Sequence, residues 1–119
     1  MADPVVNVGC VANLFARQMH FLNAGDKEEG HTHPFDHLTL LAHGSVKVTV
    51  EGVETVFRAP QMIYIHAEHV HLLEALEPNT VAFCIHALRD KNGSGNIIDP
   101  ASVPAGVSAR DFSQPVYTL

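Results

Sequence analysis

His31, His33 and His37 lie two and four residues apart, so all three share one parity. In an extended chain, side chains at that spacing point to the same face. Three imidazoles can therefore converge on one point. Imidazole is the commonest protein metal ligand and suits zinc, copper, iron and nickel. The stretch from Gly25 to Gly44 thus reads as most of a metal site. The rest of the chain must supply a fourth ligand and a container that keeps bulk water out.

The container is one domain. The chain has 119 residues, 46% of them hydrophobic, which is long and apolar enough to bury a core. Its formal charge is −6 with histidine counted neutral, and no cluster of Lys or Arg interrupts that balance. Nucleic acid and anionic membrane surfaces are therefore excluded as partners. The nine histidines are dispersed between His20 and His86, unlike a tag. Cys10 and Cys84 form no C-x-x-C pair, which predicts free thiols in a reducing compartment. The first residues lack a basic segment followed by an apolar one, and no apolar run approaches the roughly 18 residues of a membrane helix. These features predict a cytoplasmic protein.

The elements that must position the histidines read as strands. Residues 38–42 are apolar, residues 46–50 alternate at period two, and Glu51-Gly52 is a two-residue turn signal before residues 53–58 return. Residues 62–65, 70–76 and 81–87 are further short apolar segments, separated by Pro60 and by Glu77-Pro78-Asn79. Residues 13–23 are also strand-like, with a helix as the minority reading. Residues 25–30 are polar and read as a loop. No amphipathic helix stands out, so the fold class is all-β, a sandwich or barrel. Residues 1–12 form an N-terminal arm or edge strand, 13–89 the core, and 90–119 a loop and closing segment packed on the core or on a partner. The two ends are suited to cover exposed edges in a homodimer.

Gly25-x5-His31-x-His33-x3-His37-x6-Gly44 resembles the first motif of the cupin superfamily, G-x5-H-x-H-x3-E-x6-G. Both glycines and both leading histidines fall in register. His37 stands where most members carry glutamate. The second motif, G-x5-P-x-G-x2-H-x3-N, maps onto residues 60–75, where only its histidine survives, as His71. The resemblance covers residues 20–88. It implies a cupin-type jelly-roll β-barrel with His31, His33, His37 and His71 as ligands to a divalent transition metal: manganese, iron, nickel, copper or zinc. Such four-histidine sites resemble those of small cupins, some of which cleave carbon–carbon bonds with dioxygen. The residues themselves agree on His71, which shares a parity with His69 on the strand entering at residue 70.

With glutamate the site would carry +1 around a divalent ion; with His37 it carries +2, which favours an anionic or enolate ligand. The leading functional expectation is therefore a metal-dependent oxygenase acting on a small enolisable or apolar molecule. A non-oxidative lyase or isomerase, with Tyr64 or His69 carrying a proton, is the alternative, and a binding module without turnover is the third. Phe83, Ile85, His69, Phe21 and Leu41 are expected to line the pocket; the reverse orientation of residues 81–87, with Cys84 and His86 inward, is the minority reading, and Cys84 reads as a buried inert thiol. Met62 and Tyr64 read as ordinary core, as do Phe21 and Leu41 in their bulk. Glu68 and Asp36 read first as solvated carboxylates, with acceptance of a ligand's second N–H as the minority reading.

Overall fold

The computed structural model describes residues 2–31, 36–66, 69–90, 96–107 and 109–112, with the backbone alone at 29–31, 111 and 112. It is all-β. Among the described residues nine strands follow in order: β1 (Val5–Val11), β2 (Leu14–Phe21), β3 (Lys27–His31), β4 (His37–His43), β5 (Ser45–Val50), β6 (Val53–Arg58), β7 (Gln61–Ile65), β8 (His71–Ala75) and β9 (Thr80–Ala87). Two 3₁₀ turns, Pro100–Ser102 and Ala109–Phe112, come after them. The helical reading of 13–23 is displaced by β2. The loop reading of 25–30 is displaced by β3, whose polar residues gain strand geometry by pairing with β8.

The strands form two antiparallel sheets in a jelly-roll arrangement. One has the order β1-β2-β9-β4-β7, the other β3-β8-β5-β6. Each keeps its own edge strands. Crossing between sheets is what lets β3 and β4, neighbours in sequence, stand on opposite walls.

The turns follow from residue type. Glu51 and Gly52 both have positive φ, the backbone a tight hairpin between β5 and β6 needs. The two glycines that frame the histidine motif also have positive φ, +90° at Gly25 and +84° at Gly44. A Cβ on Gly44 would collide with the Thr80 hydroxyl, which donates to the Glu77 carbonyl at 2.9 Å and lies near that of Ser45.

Alternation along each strand fills the space between the sheets in rows. Met19, Ala82 and Leu41 are cross-strand partners in the first sheet; Ala75, Val46 and Phe57 are partners in the second. With Phe21 they make the apolar end of the main core, where Phe21, Met19 and Leu41 are wholly buried. A second, smaller cluster places Leu88, Ile98 and Ala109 against Phe15, so the segment after β9 covers that side. The first sheet's outer face is apolar as well: Leu38, Met62 and Tyr64 are exposed. Met62 and Tyr64 are therefore not core, because β7 turns Ile63 and Ile65 inward instead.

Candidate metal centre

One row from the apolar end, the chemistry changes. On the first sheet, Arg17, Cys84, Thr39 and Ile63 are successive cross-strand partners. The next row holds Phe15 paired with His86, and His37 paired with Ile65. On the facing sheet, His31, His71 and Val50 are partners. His37, His71 and His86 are all buried, at 4%, 1% and 6% exposure.

His37 and His71 come from opposite walls and meet. Their ring centres are 5.1 Å apart, with the planes inclined at 50°. Two imidazoles on one ion, with metal–nitrogen bonds of about 2.0–2.1 Å, hold their ring centres roughly 4.5–5.5 Å apart. The pair thus fits neighbouring ligands of a single cation. His71 Nδ1 lies 3.1 Å from the backbone carbonyl of His69. A carbonyl only accepts, so Nδ1 carries the proton and the lone pair of the neutral ring is on Nε2. This is the second contact that orients a metal-binding histidine.

The backbone of His31 sits in β3 directly opposite His71, across a register irregularity between Glu28 and His31. The side chain of His31, all of His33 and Glu68 lie outside the described residues. Among the described residues no group of three metal-ligating side chains forms. The structure therefore brings together two of the four predicted ligands and places the backbone of a third beside them. The imidazole nitrogen donors that it does bring together suit a transition-metal ion.

The pocket-lining expectations need correction at β9. Its burial alternates so that Thr80, Ala82, Cys84 and His86 face inward, while Phe83 and Ile85 lie half-buried on the outer face. Phe21 and Leu41 are interior but belong to the apolar end. His69 is half-buried, its ring 5.7 Å from that of His66, which packs edge-on against Tyr64 at 4.8 Å. Tyr64 donates to Asp36, and this hydrogen bond raises the phenol's pKa. Both groups stand on the exposed side, so Tyr64 is not aimed between the sheets.

Three inward groups lie outside the expected pocket lining, although Cys84 was expected to be buried. Cys84 is buried with its sulfur 3.7 Å from the Thr39 hydroxyl, and burial pushes the thiol up to about 11. His86 has its ring centre 4.9 Å from that of Phe15, and its Nδ1 donates to the Ala87 carbonyl at 3.0 Å. Burial lowers its pKa. Arg17, 6% exposed, reaches across to Glu28 on the other sheet, Nη1 to Oε1 at 2.8 Å. Parity with Cys84 was the available signal for His86; nothing local flags Arg17.

No protein-family model matches the sequence, and no curated protein does. Solved structures do match its fold. KdgF from a Halomonas species has a TM-score of 0.62 at 19% identity, over 69% of this chain and 77% of that one. An RmlC-like cupin family protein with a double-stranded β-helix fold, from Methanocaldococcus jannaschii, has a TM-score of 0.63 at 13% identity, over 73% and 82%. A cupin-like protein from Thermotoga maritima has a TM-score of 0.64 at 17% identity, over 73% and 70%. The chain therefore has the cupin, double-stranded β-helix fold.

Proposed function

We propose that this protein is a metal-dependent enzyme acting on a small enolisable molecule, with His31, His33, His37 and His71 holding the ion. The observation that carries the reading is the buried His37–His71 pair, 5.1 Å between ring centres, contributed by opposite sheets of a cupin fold. A bound divalent ion would supply Lewis-acid polarisation of a carbonyl or enolate and, if it is redox-active, a site for dioxygen chemistry.

The chain's own residues do the rest. The His69 carbonyl fixes the tautomer of His71. The apolar end below excludes water from one side, and Phe15 with the segment after β9 closes another. His86 is held neutral near physiological pH by burial and adds no charge beside the ligands. No carboxylate stands in the His37 position, so these ligands would leave a bound ion's charge uncompensated and favour an anionic partner.

The test is oxygen uptake by the chain loaded in turn with iron, manganese, nickel, copper or zinc, against a panel of a diketone, a thiol and an aromatic diol. Uptake with a redox-active metal supports the oxygenase reading. Turnover that persists without oxygen, with zinc or nickel bound, supports a lyase or isomerase instead. Tight binding with the molecule recovered unchanged would make the protein a binding module.

A further inference from the structure

Directly beneath the histidine row lies an ion pair that metal binding does not require. Arg17 on β2 and Glu28 on β3 span the two sheets, with side chains only 7% and 15% exposed. Taking two charges out of water costs free energy that their attraction barely offsets, and apolar residues of similar volume commonly hold such a gap at least as well. This chain does so one row away, where Met19, Ala82 and Leu41 belong to the same core as Val46 and Ala75. A purely structural staple is thus a poor account of the pair.

The two partners are held differently. Arg17 sits in β2, paired on both sides by β1 and β9. Glu28 sits in an edge strand, next to the register irregularity before His31. Arg17 is the fixed member and Glu28 the one able to give way. Arg17 itself stands one row, about 6.6–6.8 Å along β2, from Phe15, the cross-strand partner of His86 in the histidine row. A guanidinium is a planar fork matched to a carboxylate.

We propose that Arg17 is the substrate-carboxylate site: a small carboxylate enters below His37 and His71, displaces Glu28 from Arg17, and turns its other oxygen function toward the histidine row. One carboxylate replaces another, so the buried guanidinium is never left without a counter-charge. The location of the reacting end rests on the metal reading; the carboxylate site does not. Glu28 also cancels Arg17 in the resting protein, leaving the ligand histidines facing a net charge set by the ion alone.

This assignment makes the two halves of the pair act with opposite sign. The full-length chain is treated with chelator and titrated calorimetrically with pyruvate and with its uncharged analogue pyruvamide. Zinc is titrated separately. Wild type is expected to bind pyruvate and not pyruvamide. Arg17→Met should weaken pyruvate about tenfold or more, as expected for loss of a charge-assisted contact, and Arg17→Lys less. Glu28→Gln should tighten pyruvate several-fold by removing the competitor. Zinc affinity should move the other way, rising in Arg17→Met and falling in Glu28→Gln.

Equal binding of pyruvate and pyruvamide, no binding of pyruvate, or a shift of both variants in one direction would overturn the proposal. So would loss of thermal stability in both with pyruvate affinity unmoved, which is the behaviour of a staple. If Arg17→Met does not fold, Arg17→Lys and Glu28→Gln carry the same test. Pyruvate binding without any zinc binding would defeat the metal reading and leave the Arg17 assignment standing.

Discussion

At one end of the space between the sheets, Met19, Phe21, Leu41, Val46, Ala75 and Ala82 are each wholly buried, and all are apolar. Along the same strands, at the same inward parity, the other end buries Arg17, His37, His71 and His86 almost as deeply. Strand pairing and alternation do not distinguish the ends; residue type alone does. The apolar end gains free energy from burial, at about 25 cal/mol per Å² of apolar surface removed from water. The histidine end forgoes much of that gain and must satisfy its polar atoms one by one, His71 through the His69 carbonyl and His86 through the Ala87 carbonyl. One end makes the fold and the other uses it.

That division can be broken most forcefully at the apolar end. Leu41→Ala removes a wholly buried side chain and should cost about 2–5 kcal/mol in chemical denaturation. Zinc affinity of the fraction that remains folded should be unchanged. A comparable loss from His37→Ala in metal-free protein would erase the distinction between the ends.

A smaller effect sharpens the electrostatic side. Burial holds the His86 imidazole below its ordinary pKa of 6.5, so the folded state resists protonation while the unfolded chain accepts it. Where the unfolded state binds more protons, stability rises with pH. His86 therefore costs stability as pH falls from about 6.5 toward its lower folded value. Denaturation of chelator-treated protein across that range should show a shallower decline for His86→Asn than for wild type. An identical decline would mean that His86 is not held neutral by the fold.

The smallest effect concerns the thiols. Cys84 is buried with its pKa raised to about 11, whereas Cys10 is only half-buried in an edge strand. Alkylation by iodoacetamide near pH 8, read by mass spectrometry, should modify Cys10 while Cys84 stays intact until denaturant is added. Simultaneous labelling of both would show that burial does not hold the Cys84 thiol protonated.

Much of this arrangement is legible in the sequence because local rules dictate it. The alternation of 46–50, the Glu51-Gly52 turn and the two framing glycines each carry their own physical reason. The parity of His69 and His71 placed His71 inward. Two things escaped because they are settled only between the sheets. On β9, hydrophobicity selects Phe83 and Ile85 for the interior, but both faces of the first sheet are apolar, and the inner one takes the smaller Ala82 and Cys84. On β3, the run Lys27-Glu28-Glu29-Gly30-His31 has no strand pattern of its own. It becomes a strand by pairing with β8, and only then does Glu28 reach Arg17.

The most direct measurement is the metal content of the full-length chain, purified without added metal or affinity tag, beside His71→Ala. Near-stoichiometric transition metal in wild type, lost in the variant while its circular dichroism is retained, is the predicted result. Equal metal in both proteins, or none in either, would contradict the claim that the facing histidines build a metal centre.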